Sequence, residues 1–189
     1  YYFWDGRAPS LEKQLLIPLQ NPDEMALSVS EAVNRLNASA EYVRLFQRVF
    51  KQLPDAANLA DAIASFERSL EPVDSKFDDW SNGLGKLSAK EEHGRQVFLS
   101  KKAKCFDCHS TQEFTDDRFK NNGLYNAAEL NDLGRYVITE KETDLGKFKT
   151  PGLRNIGATA PYMHNGMFKT LEEVVEYYNN PASIVKNAI

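Results

Sequence analysis

The sequence predicts a mostly α-helical protein, and three observations carry this prediction. Ser/Thr-x-x-Glu capping boxes begin at Ser28, Ser88 and Thr170, and each marks a helix start. Apolar residues recur at helical spacing over residues 58–71. Strict alternation of apolar and polar residues is hard to find anywhere in the 189 residues. Extended sheet is therefore not expected.

The helical pattern defines four segments. Residues 58–71 carry Leu59, Ile63, Phe66 and Leu70 at helical spacing, which predicts a helix with one buried stripe. The other predicted helices cover residues 41–50, residues 91–98, which follow the capping box at Ser88, and residues 170–179, which begin at the capping box of Thr170. Between residues 111 and 149 there is little periodicity and much Asn, Asp and Gly, which predicts a long loop.

A domain boundary is expected within residues 71–86, where Pro72, Gly83 and Gly85 interrupt a polar stretch. We therefore assign residues 1–71 to one helical domain, residues 72–87 to a linker and residues 88–189 to a second domain.

Charge and hydropathy exclude some classes of protein. A net charge of −4 argues against nucleic acid or an anionic membrane as the main partner. No apolar run approaches the ~20 residues needed to span a bilayer. The first residues, Tyr-Tyr-Phe-Trp-Asp-Gly, lack the basic region and apolar core of a signal peptide. We therefore interpret the sequence as that of a mature or trimmed chain.

The five residues 105–109 carry the strongest chemical signal. Their sequence, Cys-Phe-Asp-Cys-His, is the C-x-x-C-H attachment signature of haem c. Cys105 and Cys108 would bind one porphyrin covalently, and His109 would ligate its iron. A thioredoxin-like pair would need a βαβ setting, and a zinc site would need a second Cys/His pair, whereas His93 and His164 are scattered. Haem c is attached outside the bacterial cytoplasm, which predicts an exported protein.

Six segments in series resemble the bacterial dihaem cytochrome c peroxidase and MauG superfamily. They are residues 3–7 (FWDGR), residues 22–25 (PDEM), the haem motif, residues 148–151 (FKTP), residues 153–155 (LRN) and residues 159–166 (TAPYMHNG). The resemblance implies two all-α haem domains and reduction of hydrogen peroxide. Residues 88–189 then correspond to the second, cytochrome c-like domain, through which electrons enter, and residues 1–71 to the tail part of the first.

Only one C-x-x-C-H is present, whereas the resemblance implies two haems in the intact protein. The first haem motif of the family lies upstream of Phe-Trp-Asp-Gly, so the chain resembles a fragment that lacks it. Its C-terminus also stops earlier than in relatives.

The resemblance assigns roles to three residues near the start of the chain. Trp4 matches the tryptophan that relays electrons between the two haems. Gln14 and Glu24 match the polar pair over the open face of the first haem, where a carboxylate can move the protons of bound peroxide. From the sequence alone, Glu24 is equally a solvated charge at a helix start.

The second axial ligand of the Cys105/Cys108 haem has three candidate residues, and an open or other position is a further alternative. Ordinary peroxidases of the family place a methionine fourteen residues after the histidine that His164 matches, and here this position is Tyr178. A tyrosine resembles MauG, and its phenolate would lower the iron potential. Met163 is the alternative, with Met167 considered beside it, in which case Tyr178 lies half-exposed on its helix.

The resemblance also implies calcium, through the backbone carbonyls of Thr159 and Pro161, although the side chain that completes the site in relatives lies upstream of Tyr1. It implies a Gram-negative periplasmic location, a small cytochrome c or cupredoxin as electron donor, and a homodimer. Arg135 is expected to pair with a haem propionate or to lie at the surface. The function indicated is a dihaem peroxidase or MauG-like oxidoreductase, and the alternative is a single-haem electron-transfer module without catalysis of its own.

Overall fold

A computed structural model describes residues 1–71, 74–126 and 129–181 of the chain. They fall into two compact units: the first is formed by Tyr1–Phe3 and Arg7–Glu71, and the second by Trp4–Gly6 and the described residues from 74 onwards. The described part is mostly helical, which confirms the predicted fold class. Among its helices, none has both the length and the apolar character needed to cross a bilayer.

The first unit is built from helices alone. Their bounds are α1 Leu11–Gln14, α2 Leu16–Gln20, α3 Val29–Ala38, α4 Ala40–Phe50 and α5 Ala56–Arg68. Helix α1 packs on α5, and the small core between them contains Leu15, Ala60 and Ala64. At the edge of this contact the Arg68 guanidinium lies 2.5 Å from the Glu12 carboxylate.

Helix α5 is present as predicted, but its predicted buried stripe is wrong. Its buried apolar residues are Leu59, Ala60 and Ala64, whereas Phe66 is 62% exposed and Leu70 lies just beyond the helix end, also exposed. The reason is steric, because the small alanine side chains let α1 approach closely.

The second unit combines short helices with long irregular segments. Its α-helices are α6 Lys76–Ser81, α7 Ala89–Phe98, α8 Tyr136–Thr139 and α9 Leu171–Asn179. Single 3-10 turns cover Cys105–Asp107, Glu142–Asp144 and Ile156–Ala158. Strands β1 (Phe119–Lys120) and β2 (Phe148–Lys149) pair antiparallel, with Phe119 opposite Lys149. The described parts of residues 111–149 thus form mostly loop, as the sequence predicted.

The capping boxes predicted at Ser88 and Thr170 are complete in the structure. At Ser28 only half of the box forms, because the hydroxyl accepts from the Glu31 amide while the Glu31 carboxylate pairs with Arg35 at 2.9 Å. Helix α6 lies inside the segment assigned as a linker and begins with a capping box of Ser75 and Asp78.

The domain assignment itself stays a prediction. Pro72, on which the boundary partly rested, lies outside the described residues, as do residues 182–189 of the predicted second domain.

Two apolar clusters organise the second unit. Leu124, Phe168 and Tyr177 form the buried cluster, against which Met163 and Met167 pack among others. The other cluster is aromatic and joins α6, α7 and the haem-motif loop. In it, the ring of Phe114 lies 5.0 Å from that of Phe77 and 6.0 Å from that of Phe98.

Candidate haem site

Both cysteines lie on one tight turn. The 3-10 turn Cys105–Asp107 closes with the Cys108 and His109 amides donating to the Cys105 carbonyl, at 3.4 and 2.9 Å. Both residues are half-buried free thiols, and burial raises the pKa of Cys105. The turn therefore holds two thiols and the following imidazole within a single short segment.

The imidazole of His109 is oriented by the backbone. Its Nδ1 lies 2.9 Å from the carbonyl oxygen of Phe114. A carbonyl can only accept a hydrogen bond, so Nδ1 carries the proton and Nε2 keeps its lone pair. Neutral imidazole in this tautomer is the form that ligates a metal through Nε2.

Helix α9 presents two neighbouring faces to different surroundings. Val174 and Tyr177 pack into the cluster around Leu124, and the Tyr177 side chain is completely buried. Val175 and Tyr178, three residues apart on the adjoining face, are exposed. The same helix therefore fixes Tyr178 firmly while leaving its phenol available for another contact.

The phenol of Tyr178 lies near the haem motif, and negative charge on Cys108 or Cys105 would raise its pKa. Although the residue is 54% exposed, burial raises the pKa of the Tyr178 hydroxyl, and a hydrogen bond from the Asn122 side chain opposes that rise. Tyr178 therefore lies in the neighbourhood of the two thiols, and its role as a haem ligand stays a prediction.

Asn122 connects the residues around this phenol. Its carbonyl accepts a hydrogen bond of 2.8 Å from the buried Tyr177 hydroxyl, whose pKa burial raises to about 12. Its side chain contacts Tyr178 and places Nδ2 3.7 Å from the Met163 Sδ. Sequence reasoning missed Asn122, and the only signal available was its place in an Asn-Asn-Gly turn.

The two methionine candidates have other contacts. Met163 packs against the Leu124 cluster, and its Sδ faces the Asn122 amide. Met167 packs against the same cluster, with its Sδ 3.7 Å from the Asn165 Nδ2. Asn122 thus contacts both Met163 and Tyr178, and the ligand assignment stays a prediction.

The donor set and its surroundings fit haem c. The thiols, the unprotonated His109 Nε2 and the Tyr178 phenol are the donors that such a group uses. Phe106 within the motif is exposed, as are Val97 of α7 and Val175 of α9, and exposed apolar side chains suit a porphyrin face.

The segment that carries Trp4 belongs to the second unit, and two of its main-chain carbonyls accept hydrogen bonds from the rest of that unit. The Lys149 amide donates to the Trp4 carbonyl at 2.8 Å, and the Arg135 Nη1 donates to the Asp5 carbonyl at 3.2 Å. The Arg135 guanidinium also lies over the Phe119 ring, 3.8 Å from its centre. Gly6 follows with φ +74°, and a Cβ there would overlap Arg135 and Phe119. Trp4 itself remains 41% exposed.

His164 lies next to this region. Its ring stacks on Phe148 with centroids 3.5 Å apart and an angle of 10° between the planes. Burial lowers the pKa of His164, and the charge of Asp132 opposes that shift. A neutral imidazole packed on a buried phenylalanine is consistent with a supporting position.

Gln14 and Glu24 both belong to the first unit. Gln14 ends α1 and is half-buried, while Glu24 lies on an exposed turn where its carboxylate accepts from the Asn21 Nδ2 at 2.8 Å. Within the described residues no hydrogen bond joins the Gln14 and Glu24 side chains. Their catalytic pairing therefore stays a prediction.

Thr159 and Pro161 lie on an exposed turn, and neither carbonyl accepts a hydrogen bond from any described residue. Calcium takes about six to eight oxygen ligands. No group of three His, Cys, Asp or Glu side chains in the described ranges could hold a metal ion. The two carbonyls thus supply part of a coordination shell, and calcium stays a prediction.

Comparison with known proteins decides the family. The model of the di-haem cytochrome c peroxidase family matches residues 1–86. The chain is 39% identical over 180 residues to the methylamine utilization protein MauG of Methylorubrum extorquens, covering 93% of this chain and 50% of that protein. It is also 39% identical over 181 residues to the cytochrome c peroxidase Ccp of Escherichia coli K12, covering 92% and 38%. The chain belongs to the dihaem cytochrome c peroxidase and MauG superfamily.

A solved structure from the superfamily shares the fold. A MauG-like protein associated with microbial copper homeostasis superimposes with a TM-score of 0.82 at 34% identity, covering 93% of this chain and 59% of that one. The chain spans about half the length of the curated MauG relatives it matches. The predicted resemblance to this superfamily is confirmed.

Proposed function

We propose that the chain is part of a dihaem c-type peroxidase or MauG-like oxidoreductase that reduces hydrogen peroxide, with electrons entering through a haem bound at Cys105 and Cys108. One observation carries this proposal: a single tight turn holds both thiols, and the following His109 is oriented by the Phe114 carbonyl so that its Nε2 is available to a metal, with the Tyr178 phenol nearby. A haem in that position would have protein ligands on both sides, which suits electron transfer better than peroxide binding.

The residues around this haem would hold it and set its potential. Cys105 and Cys108 would form thioether bonds with the haem, and His109 would ligate through Nε2 while its Nδ1 donates to the Phe114 carbonyl. Tyr178 would supply a hard anionic oxygen, whose charge the Asn122 side chain would moderate. The haem, when bound, supplies the one-electron redox chemistry.

Peroxide chemistry belongs to the other haem of the intact protein. There Glu24 would take a proton from peroxide and return it to the departing oxygen, and Gln14 would orient the substrate. Trp4 would relay electrons between the haems, from a backbone held by Lys149 and, through Asp5, by Arg135.

The electron donor would be a small cytochrome c or cupredoxin in the periplasm of a Gram-negative bacterium. Phe106, inside the haem motif, is exposed, and the exposed Lys101, Lys102 and Lys104 lie immediately before the motif. An apolar residue beside charged ones suits a small transient interface. A homodimer and a calcium ion complete the proposal by resemblance.

Counting the haems tests this function. The intact gene product should show two covalent haems in its mass spectrum and should turn over hydrogen peroxide with a reduced cytochrome or cupredoxin. One covalent haem and no peroxide turnover would instead indicate a single-haem electron-transfer module.

A further inference from the structure

We propose that Arg154 is a positioning residue for His109: it fixes the loop that carries the Phe114 carbonyl and thereby fixes the tautomer and orientation of the imidazole. This inference rests on the proposed attachment of haem at Cys105 and Cys108, with His109 as iron ligand. Arg154 has no sequence neighbour in the haem motif, and the contacts below make the connection.

The mostly buried Arg154 side chain contacts helix α6 and the loop before Phe114. Its side chain is 11% exposed, and its guanidinium forms an ion pair with Asp78 of α6. The same guanidinium donates from Nη1 to the Gln112 carbonyl at 3.2 Å, and its Nε lies 3.8 Å from the Glu113 carboxylate. A planar guanidinium can bind several acceptors in fixed directions, which a lysine ammonium cannot do.

The backbone just before Arg154 supports the same loop just before Phe114. The Leu153 amide donates to the Glu113 carbonyl at 3.3 Å. Gly152 allows this approach, because a Cβ there would lie 2.9 Å from the Glu113 carbonyl oxygen. Residues 112 and 113, directly before Phe114, are therefore held by both the side chain and the main chain of the Arg154 segment.

The Phe114 ring is held independently by the helices. It packs edge-on against Phe77 of α6 and Phe98 of α7. Helix α6 is in turn anchored through Asp78, whose Oδ2 caps the helix at Ser75 while its Oδ1 pairs with Arg154. One carboxylate thus links the helix to the loop, and the arginine pairing lowers the pKa of Asp78 to about 2, so it stays ionised.

The position of this loop affects the proposed iron ligand, His109, through one hydrogen bond. The Phe114 carbonyl accepts from the His109 Nδ1 at 2.9 Å. A hydrogen bond at Nδ1 increases electron donation from Nε2 and keeps the ring in one orientation. If the carbonyl moves away, the imidazole donates less, the ferric state is less stabilised and the reduction potential rises.

The test uses haem-loaded protein in which mass spectrometry confirms covalent attachment. Arg154→Gln removes the guanidinium. Arg154→Lys keeps the positive charge near Asp78 but loses the planar group that binds several acceptors in fixed directions. Lys76→Gln is the matched control, because it breaks the 2.6 Å ion pair of the same helix with Glu91 and leaves residues 112–114 untouched. The readouts are the reduction potential and the solvent exchange rate of the His109 Nδ1 proton.

We expect Arg154→Gln to raise the potential and to speed exchange of that proton, Arg154→Lys to do so less, and Lys76→Gln to change neither. An unchanged potential and exchange rate in Arg154→Lys and Arg154→Gln, with haem attached, would overturn the positioning role. If Arg154→Gln does not fold, the positioning role is tested by comparing the reduction potential and the exchange rate of Arg154→Lys with those of Lys76→Gln. Absence of covalent haem in the unaltered protein would instead remove the proposed function.

Discussion

The Nδ1 nitrogen of His109 lies 2.9 Å from the carbonyl oxygen of Phe114, five residues further along the chain. This one contact fixes which imidazole nitrogen is protonated and leaves Nε2 directed away as a metal ligand. It also ties the haem motif to helices α6 and α7, against which the Phe114 ring packs. The motif is therefore held by the second unit rather than by its own short turn alone.

Haem attachment is the first prediction. Replacing both Cys105 and Cys108 by Ala should abolish covalent haem, because the sequence contains no other thiol. Much of the stability of the second unit should be lost as well, since its buried cluster is small and the porphyrin would cover exposed apolar residues. Haem staining after denaturing electrophoresis checks this, and haem that stays bound in the double variant would contradict it.

Proton transfer by Glu24 is the second prediction. In the intact dihaem protein, Glu24→Gln should lower peroxide turnover by about 10²–10⁴, the usual size of a general acid–base contribution. Asp23→Asn is the control, because Asp23 is an exposed carboxylate on the same turn. Full activity in Glu24→Gln would remove this role for Glu24, while equal losses in both variants would indicate damage to the turn.

The close packing of Arg135 and Phe119 against Gly6 gives a prediction about stability, for which Gly83 is the control. Gly6 and Gly83 share a φ of +74°, but a Cβ would overlap Arg135 and Phe119 at Gly6 and would meet nothing within 4 Å at Gly83. Gly83→Ala should lower the free energy of unfolding by about 1–2 kcal/mol for the left-handed backbone alone. Gly6→Ala should cost a further ~1–3 kcal/mol for overpacking. Chemical denaturation measures both, and equal effects would show that the Trp4 segment is not tightly held.

Acid stability should depend on Asp78. Hydrogen bonds from Arg154 and from Ser75 lower the pKa of its carboxyl from 3.8 to about 2. A lowered folded-state pKa stabilises the fold above pH 3.8, and this contribution is lost as the pH falls towards 2. The stability difference between wild type and Asp78→Asn should therefore shrink between pH 4 and pH 2. A difference that is independent of pH would contradict the prediction.

The sequence predicted those features that depend on local pattern. The helices behind Ser88 and Thr170 begin at their capping boxes, because a cap is set by residues three positions apart. The haem motif could be recognised for the same reason. The buried face of α5 could not be predicted from the sequence. Either its alanine face or its Ile63/Phe66 face could be buried, and the packing of α1 decides which one is.

The contacts that support the site could not be predicted from the sequence either. His109 is oriented by a main-chain carbonyl, which carries no residue-specific signal. Asp78 and Arg154 lie 76 residues apart, and α6 was hidden in a polar, glycine-containing stretch that resembled a linker. Tyr178, by contrast, could be proposed from the sequence, because the family resemblance places a haem ligand fourteen residues after the histidine that His164 matches.

The ligand opposite His109 decides between the two kinds of function in the superfamily. Phenolate stabilises Fe(III) over Fe(II), so a Tyr178 ligand should give a reduction potential well below that of a His/Met cytochrome. Tyr178→Met should raise the potential, and Tyr178→Phe should open the iron to cyanide. Met163→Ala is the matched control, because the Met163 thioether packs on the buried cluster beside Asn122.

The most direct measurement is the near-infrared spectrum of the ferric Cys105/Cys108 haem. With Tyr178 as ligand, the sulfur-to-iron charge-transfer band of a methionine-ligated haem should be absent in the wild type and in Met163→Ala, and Tyr178→Phe should be the variant that changes the spectrum. A wild-type spectrum that contains the methionine band, loses it in Met163→Ala and is unaffected by Tyr178→Phe would contradict the account and return the protein to the ordinary peroxidases.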